Sequence, residues 1–492
     1  MSKQQMYLSQ IIGEEYKSWQ KGDVIIFNSP TGTGKTSVCL LLAQNLEPGE
    51  KILYIASRIA KVEEFKRDTC DFEQSFLYTT YQKLEQDISY LNYLTLNKYT
   101  HCKYIFIDEC HYFTEDIAMP DSNASLSEEW LRTVPISPIK IYASATADTF
   151  YNILRRQIAI PDDHIYTIDK DYSYVKECLV YRKEEAIDII NGILANDPRD
   201  KILFFVNNTN RMEELHSQFG PEIADYLCSS NSTDTLLRKL CNVTNDQFSS
   251  LSMEKRILFA TKTIDIGVNI KDENLRYIFC EMQDPSTIIQ CLGRKRPMNE
   301  SDYCNFYICN QDAKTMVLHY NAVKKHVAVY EDYKLSPELF IAKHQFDRSL
   351  NKGGSVFILT PGSADVKVDI MKVRKYKFDM RFYESVKENG FIETLKLFMD
   401  DYLAKIIRVY ISKEDEVISF LRTLENRMIY KEDKQVISNY FSSIIKGKRT
   451  FGINVINEWL DDNLGDRYDK RFYGQKNYTR GVNYKASYWV LR

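Results

Sequence analysis

No stretch of the 492 residues stays apolar for the roughly 18 positions that a membrane-crossing helix needs, so no span is expected. Neither sign of charge is in excess: 65 Lys and Arg stand against 68 Asp and Glu, a formal −3. That excludes a globally basic coat of the histone type but leaves room for a local basic groove. The first residues contain Glu14 and Glu15 where a secretory leader needs an apolar core, so the expected location is cytoplasmic. The 11 cysteines are an odd number, and Cys39, Cys280 and Cys291 fall inside predicted strands and helices, which suits a reducing compartment. Cys102 and Cys110 with His101 and His111, and the pair Cys304 and Cys309, lack the paired short spacing of a zinc knuckle, and zinc is the lesser reading. There is no low-complexity tract, no repeat of 20–50 residues within a domain, and no HD pair or PD…ExK set in a convincing context. A motor fused to its own nuclease is therefore disfavoured.

What the chain does have is 44% hydrophobic and 13% aromatic residues, enough for sizeable cores, and a length that allows roughly three domains at about 150 residues each. Short apolar runs alternate with helix-like stretches such as Ser37–Leu46 and Ile59–Asp68. The first set of strands is Val24–Phe27, Ile52–Ala56, Phe76–Thr80, Tyr104–Ile107 and Ile141–Ala143. The alternation restarts with Glu177–Tyr181, Ile202–Val206, Asp225–Cys228, Arg256–Ala260, Tyr277–Cys280 and Cys304–Ile308. This is the pattern of two tandem α/β lobes with parallel sheets, expected over 1–165 and 166–311. Beyond them, 312–492 reads as a mainly helical domain. There Leu395, Phe398, Tyr402, Ile406 and Val409 recur at the spacing of one amphipathic helix, and Val356–Thr360 is a lone strand candidate between Gly-rich turns.

The segment Ser29-Pro30-Thr31-Gly32-Thr33-Gly34-Lys35-Thr36 lies between an apolar strand and an apolar helix. That context makes it a phosphate-binding loop: glycines let backbone N–H groups face phosphates at a helix start, Lys35 reaches the β- and γ-phosphates, and Thr36 offers a hydroxyl to Mg²⁺. Its first position is Ser29, where the usual pattern has glycine. Tyr104–Ile107 ends in two adjacent acids, Asp108 and Glu109, followed by Cys110 and His111. Beside a phosphate loop, Asp108 is suited to hold the metal through water, and Glu109 to orient and deprotonate the attacking water.

These segments, with Ser144-Ala145-Thr146 after a strand, resemble motifs I, II and III of superfamily 2 helicases of the DEAD/DEAH-box type. The resemblance continues with 202–208 as motif IV, 260–270 as motif V and 290–296 as motif VI, six motifs in the family's order over 20–310. It implies two RecA-like lobes that close on Mg-ATP and step along nucleic acid. It further implies that Gln290, Asp265 and Gly267 line the nucleotide cleft and that Arg294 reaches the phosphates from the second lobe. Arg296 stands one residue beyond Lys295, closer than the family's usual last arginine, so its role as a second finger stays open. His111, Ser144 and Thr146 take the positions that link hydrolysis to lobe movement. Ser57, Arg58, Thr79, Thr80, Asn207 and Thr261 take positions that contact the nucleic-acid backbone, where hydroxyls and amides grip phosphates without reading sequence. No segment resembles the adenine-reading Q motif, and His111 departs from a strict DEAD box.

From Arg467 to Arg492 seven Lys and Arg face one acid and are interleaved with aromatics including Tyr473, Tyr478 and Trp489, a composition suited to single strands. Arg374-Lys375-Tyr376-Lys377 is a smaller basic patch. The expectation is a Mg²⁺- and ATP-dependent helicase or translocase acting on DNA or RNA, with protein partners through 312–492 as a further option. The rivals are a nucleotide-gated clamp and an RNA remodeller of DEAD-box style. A phosphate-loop kinase has no use for a second lobe carrying motifs V and VI.

Overall fold

The computed structural model describes residues 7–30, 33–115, 124–146, 148–228, 241–242, 252–261, 270–344, 355–359, 366–445, 448, 450–480, 483 and 485–492. The chain forms two compact units, Met1–Arg408 and Val409–Arg492. No helix among the described residues is long and apolar enough to cross a membrane.

The first unit holds two parallel sheets. Sheet one contains β1 (Val24–Asn28), β2 (Ile52–Ala56), β3 (Phe76–Thr80), β4 (Tyr104–Asp108), β5 (Ile139–Ser144) and β6 (Ile165–Thr167) in the spatial order β3-β2-β4-β5-β1-β6. Every pairing in it is parallel. Its central strands are buried on both faces, which is why they read as unbroken apolar runs. Alternate residues serve opposite cores. Ile25 and Phe27 meet Val38, Cys39 and Leu42 of helix α1 (Lys35–Gln44), while Val24 and Ile26 join the core on the other face. Three further helices of this lobe matter below: α2 (Ile59–Asp68) and α3 (Tyr81–Ser89), which follow β2 and β3, and α4 (Ala124–Thr133), which precedes β5.

Sheet two contains β7 (Val175–Tyr181), β8 (Lys201–Phe205), β9 (Ala224–Leu227), β10 (Ile257–Ala260), β11 (Leu275–Cys280) and β12 (Cys304–Cys309), with the short strand β13 (Ile407–Val409) at one edge. The order is β13-β7-β12-β11-β8-β10-β9. Helix α5 (Thr209–Phe219) follows β8 and α6 (Pro285–Leu292) follows β11. Two long helices come after this sheet, α7 (Ala313–Leu335) and α8 (Ile370–Asn389). They run antiparallel, with Tyr320 bonded to Glu384, His326 stacked on Tyr376 and Lys377 paired with Glu331. The strand expected at 356–360 is Phe357–Leu359, paired with Val366–Val368.

The single amphipathic helix expected over 395–409 is not formed. Helix Phe391–Lys396 stops, Asp400 caps a new helix Asp401–Ile406, and the chain then extends into β13. Leu395 and Leu403 are buried, whereas Phe398, Tyr402 and Val409 are exposed. The basic patch at 374–377 also takes another form: Lys375 and Tyr376 are buried.

The second unit packs α9 (Lys413–Arg422), α10 (Lys431–Ile444) and α11 (Ile453–Asn463) with the hairpin β14 (Phe472–Lys476) and β15 (Ser487–Leu491). Val417, Leu421, Ile437, Phe441, Ile456, Leu460, Phe472 and Leu491 form its core. The basic, aromatic end of the chain is thus a folded hairpin and not a loose arm.

Candidate active site

The described first-lobe candidates sit at the carboxyl edge of sheet one, where open parallel sheets bind ligands. Ser29 and Pro30 follow β1, and Thr33 and Gly34 lead into α1. The Ser29 amide donates to the Ser144 carbonyl at the end of β5 (3.1 Å), and the Thr33 hydroxyl donates to the Pro30 carbonyl (2.7 Å). Gly34 precedes α1 at φ 87°, a left-handed conformation that selects glycine. Thr31 and Gly32 lie outside the described residues. Thr36 is half-buried in the first turn of α1.

Lys35 follows Gly34, and its Nζ is buried with no hydrogen-bond partner among the described residues. Ser29 Oγ and Asp108 Oδ1 are in the same condition. Unpaired buried polar atoms are costly, so an ammonium, a hydroxyl and a carboxylate oxygen left open at one sheet edge describe a site built for a charged ligand.

Asp108 ends β4, two strands from β1. Its Oδ2 accepts from the Tyr54 hydroxyl (2.6 Å), and its backbone carbonyl accepts from the Tyr81 hydroxyl (2.7 Å). Burial, then the Glu109 charge, raise Asp108 above the usual carboxylate range against the pull of Lys35 and Lys61. Glu109 is left-handed at φ 53°, which turns its side chain away from the strand's ordinary alternation. Burial pushes Glu109 up as well, but Lys35, the His111 contact and Lys61 together outweigh it and hold the carboxyl well below the ordinary range. The pair therefore divides its roles: Glu109 stays ionised, and Asp108 takes a proton first.

From Glu109 a chain of contacts leads to the second lobe. His111 Nδ1 lies 3.3 Å from Glu109 Oε2 and 2.8 Å from Ser144 Oγ. Ser144 Oγ accepts from the Thr146 amide (3.2 Å), and Thr146 Oγ1 accepts from Gln290 Nε2 of α6 (2.9 Å). The residues expected to couple hydrolysis to the second lobe thus form one connected path.

Arg294 and Arg296 come from the segment after α6. Residue 295 pairs with Ile270 in a parallel bridge, and the Ile270 amide and carbonyl bond residues 294 and 296. The Arg294 amide still donates to the Cys291 carbonyl (3.3 Å), so Arg294 belongs to the turn that ends α6, and Lys295 is fully buried on Asp302 (2.8 Å). Burial lowers Arg296 and the Arg294 charge adds to this, while the Tyr174 and Glu109 charges oppose it. Asp265 and Gly267 lie outside the described residues.

The candidates for nucleic-acid contact are less uniform. Arg58 is extended and half-buried just before α2, with Ser57 beside it at the end of β2. Thr79 is buried, and the Thr80 hydroxyl caps α3 by accepting from the Lys83 amide (3.2 Å), so both hydroxyls have structural tasks. Asn207 is exposed after β8, and Thr261 is half-buried after β10, its amide donating to the Leu227 carbonyl (3.1 Å). These six residues stand at carboxyl ends of strands in both sheets.

Sequence reasoning passed over Tyr54 and Lys61, and read Tyr81 only with Thr79 and Thr80 as a nucleic-acid contact, whereas its hydroxyl holds the Asp108 carbonyl. Tyr54 reads as an ordinary β-strand aromatic. Lys61 pairs with Glu64 three residues on (2.9 Å) and so resembles a surface ion pair, yet its charge acts on both site carboxylates. Among the described residues no group of three or more His, Cys, Asp or Glu side chains could hold a metal on its own.

The model of the family described as type III restriction enzyme, res subunit, matches residues 1–146. Among solved structures, the helicase Lhr of Mycobacterium smegmatis, bound to ssDNA and AMP-PNP, is similar over 65% of this chain and 48% of its own, with 15% identity and a TM-score of 0.43. The E. coli DExH-box NTPase HrpB is similar over 64% of this chain and 42% of its own, at 12% identity and a TM-score of 0.43. S. cerevisiae Dbp5 bound to RNA and ADP BeF3 is similar over 60% of this chain and 81% of its own, at 14% identity and a TM-score of 0.42. This chain spans about half the length of the first two. A search of curated protein sequences gave no match.

Proposed function

We propose that this chain is a nucleic-acid-dependent ATP hydrolase of the superfamily 2 helicase type, in which two RecA-like lobes close on Mg-ATP and reopen after hydrolysis. One observation carries the reading: the path Glu109–His111–Ser144–Thr146–Gln290 joins a carboxylate beside the open Lys35 ammonium to the helix that precedes Arg294. The match of residues 1–146 to the restriction-enzyme res-subunit model supports a nucleotide-driven nucleic-acid enzyme.

The chemistry follows from these residues. Lys35 and the segment 29–34 take the triphosphate, and the Lys35 ammonium, which has no hydrogen-bond partner among the described residues, gains one there. Asp108 Oδ1 and the Thr36 hydroxyl fit a hydrated Mg²⁺, since that ion beside phosphates needs only one or two carboxylates. Mg²⁺, when bound, neutralises phosphate charge. Glu109, kept ionised, orients a water in line with the γ-phosphate and accepts its proton, while Arg294 and Arg296 supply positive charge from the second lobe as negative charge spreads over the transferring group. Gln290 and Thr146 report that closure back to His111. Nucleic acid lies along the strand ends that carry Ser57, Arg58, Asn207 and Thr261.

The test is the steady-state ATP hydrolysis rate alone, with single-stranded DNA and with single-stranded RNA, using Lys35→Ala as the blank. Stimulation by one polymer, absent in the blank, supports a motor and names its track. Fast turnover without stimulation, or none under any condition, replaces it by a partner-gated clamp.

A further inference from the structure

Helix α8 is anchored in both lobes. At its start Asp369 accepts from the Lys372 amide (2.9 Å), the Ser125 hydroxyl of α4 donates to Asp369, and Ser125 Oγ accepts from the Met371 amide (3.2 Å). Met371 belongs to the core of the first lobe. Further along, Phe382 and Val386 belong to the core of the second. Between Met371 and Phe382 the helix rises about 16 Å, and it contains neither Gly nor Pro to kink it. It is a rod with one end in each lobe.

Between the two anchors stands Lys375, its side chain 10% exposed. Its Nζ donates to Asp284 Oδ2 (2.9 Å) and to Asp379 of its own helix. Asp284 is the N-cap of α6: its other oxygen accepts from the Thr287 amide (3.0 Å). One carboxylate therefore ties the first turn of α6 to the rod, and α6 is the helix that presents Gln290 to Thr146 and leads into Arg294. Desolvated charges of this kind hold only in the arrangement that pairs them, so the cluster resists sliding of α6 along α8. A solvent-facing lysine would impose no such restraint.

We infer that Lys375 is a positioning residue for ATP hydrolysis: by clamping Asp284 it sets, from a helix rooted in the first lobe, where α6 delivers Gln290 and Arg294. The inference rests on the function proposed above and adds a residue from outside the two sheets to its machinery.

Asp284→Asn is the discriminating variant, because asparagine caps a helix as well as aspartate while its amide carries no charge for Lys375. The expected result is a fall of about tenfold in nucleic-acid-stimulated kcat, with affinity for a non-hydrolysable ATP analogue and the thermal midpoint of unfolding held near wild type. Combined with Thr146→Val, the loss in kcat is expected to be smaller than the product of the two single losses, since both act through Gln290. An unchanged kcat in Asp284→Asn, a loss that tracks loss of folding or of analogue affinity, or fully multiplicative losses would overturn the inference. Wild-type protein that hydrolyses no ATP sinks the proposed function itself, and is distinguished by that missing wild-type rate.

Discussion

Replacing Glu109 by Gln probes the site most directly. The amide is isosteric, so the left-handed backbone at φ 53° and the approach of His111 are retained. What disappears is a charge that burial disfavours and that Lys35, His111 and Lys61 maintain. General-base assistance contributes ~10²–10⁴ in rate, equivalent to about 3–5 kcal/mol of barrier. Nucleotide affinity moves the other way: an anion beside the γ-phosphate repels it, and removing that anion relieves about 1–3 kcal/mol at an effective dielectric between that of a protein surface and water. Single-turnover hydrolysis with enzyme in excess isolates the chemical step, and fluorescence of a labelled analogue follows binding. A slow chemical step with unchanged or tighter binding is expected; a single-turnover rate within about threefold of wild type refutes the assignment of Glu109 as base.

The same variant carries a pH signature. Asp108 is raised by burial and by the Glu109 charge, so in wild type the first proton added on acidification goes to Asp108. Activity needs that carboxylate ionised, and it is lost as pH falls through the raised value. In Glu109→Gln the neighbouring charge is gone, Asp108 moves down, and the acid limb of the residual activity shifts to lower pH. An acid limb that stays in place would assign it to another group.

Three other substitutions test the rest of the site. Thr146→Val removes the acceptor of the Gln290 bond and is expected to lower nucleic-acid-stimulated kcat by about tenfold while basal analogue affinity stays within about twofold, read by parallel turnover and binding titrations. Arg294→Ala is expected to cost about 10³ in kcat; a comparable loss in Arg296→Ala would make it a second finger, and an innocuous Arg296→Ala leaves one. In the second unit, a groove of about 520 Å³ is lined by Tyr430, Lys431, Lys434, Phe451, Asn483 and Trp489, with the Lys434 ammonium 5.4 Å from the Trp489 ring centre. Lys431→Ala is expected to weaken single-strand binding and to flatten its salt dependence by about one phosphate's worth, and an unchanged salt slope would make the groove purely structural.

The phosphate loop and the strand-end acids were legible because their signal is local: a strand, a turn with its glycines, a helix and two carboxylates occupy a few dozen consecutive residues. All eleven strands read from apolar runs are present, with ends shifted by one or two residues. In the two large sheets two escaped notice, Ile165–Thr167 and Ile407–Val409, since three residues carry no periodicity and their partners lie far away in sequence; Val366–Val368 and the hairpin strands Phe472–Lys476 and Ser487–Leu491 also went unread. The expected helix over 395–409 failed for a different reason. Its apolar spacing was right, but Asp400 caps a fresh start, and Leu403 took the core position in place of Tyr402. Clustered charge misled most. In Arg294-Lys295-Arg296 the middle cation is a buried anchor, and in Arg374-Lys375-Tyr376-Lys377 the surface patch contains the clamp on Asp284. Both inward lysines are paired with acids that sequence separation hides: Asp302, seven residues on, and Asp284, ninety-one residues back. Terminal hairpin residues show the same limit, since nothing in composition says that Phe472 and Leu491 face the core while Tyr473 and Tyr478 face water.

The two connections between the lobes differ in kind, and the difference bears on how such a motor would move. The Gln290–Thr146 contact joins two neutral groups, and a neutral hydrogen bond nets only about 0.5–1.5 kcal/mol, so it can form and break in each cycle. The Lys375 cluster is charged, and its ammonium is held by Asp379 as well as by Asp284, so it parts less readily than the neutral contact. Opening would then part the lobes at the neutral contact first while the charged one holds. On the proposed function, a rotation about α8 would then separate Gln290 from Thr146 without releasing the second lobe. The difference also predicts which weakening matters: loosening the neutral contact alters the coupling of each cycle, whereas loosening the clamp alters where the cycle is centred.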